Sequence, residues 1–234
     1  MSDFRGYPQA GARSVGIDQG LRAYMIRVYN YMAMGLVITG LAAVATLSSG
    51  LMPVLFGTPL KFVVLLAPLA MVMFLSFRVQ TMSLGGAQIA FWVFSALMGI
   101  SLTPIVLVYT GASIAKVFFI TAATFGSTSL YGYATKRDLT GMGSFMFMGL
   151  IGIIIASVVN IFLQSGPLGF ALSVIGVLVF TGLTAWDTQQ IKTMYYSTSG
   201  EAAIGKSAVM GALRLYLDFI NLFMSLLRLM GDRR

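Results

Sequence analysis

Hydrophobic residues in this 234-residue chain gather into seven long runs separated by short polar breaks. The runs cover residues 29–47, 60–77, 87–109, 114–134, 144–163, 168–191 and 207–230, and the sixth can extend to Tyr195 and Tyr196. Each is close to the roughly 20 residues that a helix needs to cross a hydrocarbon core about 30 Å thick. The pattern predicts an all-α integral membrane protein, a bundle of seven transmembrane helices over residues 25–234. Gly99 and Pro104 are able to kink the third span, because neighbouring helices can satisfy the backbone groups such residues free. Connections are too short for a second, soluble domain. Residues 1–24 are polar and carry Arg5, Arg13 and Arg22. They lack the apolar core of a secretory signal and are expected to stay attached as a disordered cytoplasmic tail.

The seventh run breaks the apolar rule. It carries Arg214, Asp218, Asn221, Ser225 and Arg228, at spacings of four, three, four and three that put all five on one helical face. A charge at mid-bilayer costs about 2.5–3.5 kcal/mol even on a lenient scale, so the stripe must face protein or water. This helix is therefore expected at the centre of the bundle, with Asn221 and Ser225 as candidates to line a pathway. Small and hydroxyl residues in the other spans allow close helix approach.

Of seven acidic residues, only Asp187 and Asp218 fall within spans. Counted from Ser207, Asp218 is about 16 Å deep, and counted back from Tyr195, Asp187 is about 12 Å deep. Matched depth on consecutive helices predicts a carboxylate pair. Two charges about 4 Å apart repel by about 4 kcal/mol at an effective dielectric near 20, so the pair is expected to share one proton and titrate as a unit. Without that proton it offers anionic oxygens to a cation, which makes Asp187 and Asp218 candidate cation ligands. Other partners compete. Arg214 can bridge to Asp218 along its own helix, and Arg78 can reach Asp187, in which case each acid is neutralised and the pairs simply hold the bundle together.

Composition narrows the function. The chain is 58% hydrophobic and 9% charged, with mean hydropathy +0.88, where a soluble domain carries about a quarter charged residues. Net charge is +8, but the basic residues are scattered singly and form no nucleic-acid stripe. Cysteine and histidine are absent. That excludes disulfides, the usual zinc, copper and haem ligands, and catalysis by a histidine base or cysteine nucleophile. A bound metal would have to be a hard cation held by oxygen. Two aspartates on adjacent helices can activate water, but Asp187 lies in AWDTQ without the flanking glycine of an intramembrane aspartyl protease, and no enzyme is expected. Lysines and arginines favour a cytoplasmic N-terminus. The same bias leaves two routes for the basic C-terminus, crossing outward or returning inside by a re-entrant segment.

TKRDLTGMGSFMFMGLIG (135–152), AWDTQQIKTMY (185–195) and ALRLYLDFINLFMSLLRLMG (212–231) resemble the Bax inhibitor-1 family in its bacterial form. The resemblance runs from the first span to the C-terminus. It implies a last helix surrounded by the other six and a pH-sensitive calcium leak across the bacterial inner membrane. The family's aspartate pair falls on Asp187 and Asp218 and its second-helix arginine on Arg78, with protonation of the pair moving the second helix to open the pore. No cofactor is implied beyond calcium as the transported or bound ion. The resemblance also implies a membrane-bound ATP-dependent protease as a partner, which supports an alternative role as a non-conducting regulator.

Overall fold

The computed structural model describes the backbone of residues 9–234 and the side chains from residue 19 onward. Eight helices follow one another: α1 (Gln9–Ser48), α2 (Met52–Gly57), α3 (Leu60–Arg78), α4 (Leu84–Val108), α5 (Gly111–Ala134), α6 (Thr140–Leu163), α7 (Gly166–Ser197) and α8 (Glu201–Met230). All but α2 are long and apolar enough to cross a membrane, giving the all-α membrane bundle that the apolar runs predict. Side-chain oxygens of Ser83, Thr110 and Ser165 cap the starts of α4, α5 and α7, satisfying backbone donors that a helix start leaves open.

Two local features depart from expectation. Helix α2 fills the connection after the first span, with a proline in its first turn, where a missing N–H does no harm. More consequentially, α1 starts at Gln9, so residues 9–24, expected as disordered tail, are helical. The remainder of that tail, residues 1–8, lies outside the described residues. The reason is a buried stripe of Leu21, Tyr24, Met25 and Val28, whose helical spacing begins ahead of the long apolar run. Tyr24 stacks on Tyr195 of α7 with ring centroids 5.3 Å apart.

Helix α8 forms the axis. In its best 18-residue apolar stretch 67% of residues are buried, against none in the corresponding stretch of α6. Helices α1, α3, α4, α5 and α7 pack on it. Helix α6 instead packs chiefly on α7, so the expected ring of six has one member displaced outward. Nothing on α6 needs shelter: Ile151, Ile154, Ile155 and Phe162 are exposed, and lipid tails solvate such side chains as well as protein does. Two glycines set close crossings. A Cβ on Gly132 of α5 would collide with the Ala185 backbone of α7, and one on Gly99 of α4 with the Thr39 carbonyl of α1.

Helix α8 is continuous, and its end is tied to the α4–α5 connection. Thr110 N donates to Asp232 O (3.1 Å), Arg234 N to Val108 O (2.9 Å) and Asp232 N to Ser113 Oγ (2.9 Å). The C-terminus thus crosses to the side opposite the start of α1, with no re-entrant return.

Gly132→Ala should therefore lower stability by about 1–3 kcal/mol, the usual cost of overpacking. Gly126→Ala, where a Cβ meets nothing, should be neutral or stabilise by up to about 1 kcal/mol. Thermal unfolding of the two variants in detergent reads the difference directly.

Candidate functional site

Helices α7 and α8 are joined by residues 198–200 alone, with Gly200 at φ +92° making the turn, a backbone conformation that favours glycine. So short a link forces antiparallel neighbours. Ile191 faces Gly211, and Ser225 faces Gly176. In that register Asp187 lies beside the turn that runs from Arg214 to Asp218. The polar stripe of α8 accordingly looks onto α7.

Both acids are buried, Asp187 to 9% exposure and Asp218 to 5%. Their carboxyls lie within interacting reach of each other. Arg214 Nη1 donates to Asp187 Oδ1 at 3.4 Å, and this is the ion pair found among the described residues. The bond is long beside the 2.7–2.9 Å of a strong charge-assisted contact, and the arginine side chain is 43% exposed. Asp218 Oδ2 is buried without any hydrogen-bond donor.

The expected arginine partners are thus rearranged. Arg214 does not bridge to Asp218 along α8 but reaches across to Asp187, because the face it shares with Asp218 is the one turned toward α7. Arg78 ends α3 with an exposed side chain, on a helix that packs on α4 and touches α8 only lightly. No hydrogen bond or ion pair joins it to Asp187 among the described residues. Asn221 Nδ2 and Ser225 Oγ lie on the stripe, but each donates to a carbonyl four residues back in α8, at 2.8 Å.

The surroundings add groups that the motifs did not reveal. Tyr29 Oη, Ser129 Oγ and Thr188 Oγ1 form a hydroxyl chain at 2.5 and 2.8 Å across α1, α5 and α7, ending beside Asp187. Tyr24 is close enough to feel the charge of Arg214, and its buried hydroxyl has no partner. The signal for Tyr24 was its place in the stripe with Leu21 and Val28, hidden by the polar residues between them. Among the described residues no three acidic, histidine or cysteine side chains gather around a common point. Two carboxyls provide at most four oxygens, fewer than the six to eight that a resident calcium takes. The arrangement suits passing contact with a cation better than storage.

Fold and site together define an integral membrane protein of seven spans with a buried carboxyl pair between the last two. The sequence pattern of the family described as inhibitor of apoptosis-promoting Bax1 matches residues 21–234. Inner membrane protein YbhL of Escherichia coli is 48% identical over 219 residues, covering 92% of this chain and 94% of its own. Uncharacterized proteins of Rickettsia prowazekii and Caulobacter vibrioides are 49% and 45% identical, each over the full length of both chains. The chain belongs to the Bax inhibitor-1 family.

Removing Arg214 should leave Asp187 without its cation. Arg214→Gln is expected to cost about 1–2 kcal/mol, between the small value of an exposed pair and the larger one of a fully buried pair. In an Asp187→Asn background the same substitution should cost nearly nothing, which a double-mutant cycle of unfolding measurements tests.

Proposed function

We propose that the chain is a pH-sensitive cation leak of the bacterial inner membrane, with calcium as the permeating ion, gated by the shared protonation of Asp187 and Asp218. The observation that carries this reading is the poorly compensated carboxyl pair: Asp218 Oδ2 has no donor, and Asp187 has only a long bond to a half-exposed arginine. An intramembrane acid so placed is a functional site by default. With the N-terminus cytoplasmic, the half-exposed Arg214 lies on the cytoplasmic side of Asp218. When both carboxyls are ionised they carry two negative charges against the single charge of Arg214, and their mutual repulsion favours taking up a proton. Uptake weakens the attraction between Asp187 and Arg214 and frees α7 and α8 to shift. Calcium is cargo in this reading, and no catalytic step is involved.

The test is calcium-dye flux in liposomes. Flux should rise as the pH is lowered and the coupled pair takes up its proton as a unit. Asp187→Asn and Asp218→Asn should each flatten that response. Wild-type flux and pH response in both variants would overturn the reading, and absence of flux in the parent protein would favour a non-conducting regulator.

A further inference from the structure

The α5–α6 connection and the last turns of α7 enclose an open cleft of about 800 Å³, far from the α4–α5 end of the bundle. Its lining includes Lys136, Arg137, Lys192, Gln189 and Thr135. The loop is held in place by one side chain: Gln189 Nε2 donates to Arg137 O at 2.8 Å, and Gln189 Oε1 accepts from Leu139 N at 2.9 Å. Lys192 Nζ donates to Tyr133 O at 3.0 Å and stands 5.5 Å from the centre of that tyrosine ring. Lys136 and Arg137 are exposed, and neither belongs to an ion pair among the described residues.

One acid shares the cleft. Asp138 Oδ1 accepts from Thr140 N at 2.9 Å and from Thr140 Oγ1 at 2.6 Å. These bonds hold its carboxyl below the ordinary range, so it is ionised at neutral pH. Three cations against one anion leave the cleft positive. Helices α5 and α6 each have 24 residues, about 36 Å at 1.5 Å per residue, long enough to put their connection at the level of the lipid headgroups. Both helices pack on α7, and Leu130 of α5 with Phe145 and Met148 of α6 stay exposed within a few turns of the loop. A positive headgroup-level cleft above exposed apolar side chains matches an amphiphile with a negative head.

We propose that this cleft binds the headgroup of an anionic diacyl phospholipid, with Lys136, Arg137 and Lys192 meeting its phosphate and its acyl chains lying along α5 and α6. Basic pockets between spans are a recurrent solution for anionic lipids. A soluble anion would make no use of the apolar residues below the loop. The site is separate from the carboxyl pair and does not depend on the protein conducting ions.

The experiment is native mass spectrometry of the full chain in mild detergent, titrated with phosphatidylglycerol or with phosphatidylcholine of the same acyl chains. Phosphatidylglycerol should bind in preference. Lys136→Gln with Arg137→Gln should lower its affinity roughly fivefold per residue, the equivalent of about 1 kcal/mol for each basic group near an anionic surface. Lys192→Gln should act in the same direction, and Lys116→Ala, at the other end of α5, should leave the preference intact. Circular dichroism of each variant establishes that the fold is retained. Equal binding of the two lipids, or an unchanged preference in the Lys136/Arg137 variant, would overturn the proposal. Displacement of phosphatidylglycerol by glycerol phosphate at similar concentration would overturn it in favour of a soluble anion.

Discussion

A carboxyl group at membrane depth has to be enclosed by protein, and in this chain that requirement falls hardest on Asp218. Lipid offers it no donor, and the cost of leaving it there exceeds what most single side-chain contacts contribute. Helix α8 therefore takes the axis, and α1, α3, α4, α5 and α7 pack around it. The three-residue link then makes α7 the neighbour that meets the polar face, which brings a second acid to the first. Arg214 follows from the same geometry. Lying one turn before Asp218, it is carried to Asp187 by the register of the two helices. Two carboxyls and one guanidinium form a trio that is electrically neutral only with one proton on board, and the proposed sensitivity to pH rests on that imbalance.

The two ends of the axis are built differently. Beyond Asp218, α8 is a buried apolar column of Phe219, Leu222, Phe223, Leu226 and Leu227, closed at its end by backbone bonds from residues 232 and 234 to the α4–α5 connection. On the other side of Asp218 the aliphatic packing of Val209, Leu213 and Leu215 is joined by Tyr24 against Tyr195 and by two buried oxygens, Tyr24 Oη and Asp218 Oδ2, that lack partners. Unmet hydrogen bonds cost more than made ones contribute, so the half of the bundle that holds the acids is also the half with the least to lose from rearrangement.

Much of this architecture was legible in the chain. Apolar length alone located all seven spans, the second and third to within a few residues (60–77 against Leu60–Arg78 and 87–109 against Leu84–Val108), while the first, sixth and seventh helices run further than their apolar stretches. The short link after Ser197 made Asp187 and Asp218 neighbours before any coordinates. What escaped depended on rotation about helix axes. Arg214 had two carboxyls within reach, one along its helix and one across, and only the facing of α7 and α8 decides between them. Arg78 was assigned from its motif position, and its helix packs mainly on α4. The early start of α1 was masked because Leu21, Tyr24 and Met25 are separated by arginine and alanine, so their stripe shows in phase and not in average hydropathy.

In the proposed leak, a cation that passed Asp218 would next meet the side-chain oxygens of Asn221 and Ser225, whose donors are already engaged with Leu217 O and Asn221 O. The neighbouring side chains of Leu222, Phe223, Leu226 and Leu227 carry no oxygen to replace lost hydration, and transferring an ion among them without such replacement is prohibitively costly. As a leak of the kind proposed, the described arrangement would be a closed one with the acids at the boundary of the seal, and opening a path would require the column to part. Since the far end of α8 is tied down by its terminal residues, the helices around it have more freedom to move than α8 itself, with α3 the most loosely held of those that touch it: only 11% of its span is buried. In the proposed gating, coupling between the acids and such a movement would run through α8, which α3 contacts and which carries Asp218. A change of charge at Asp187 and Asp218 would therefore be transmitted as a small displacement of the near half of the axis, with the far half acting as its fixed point.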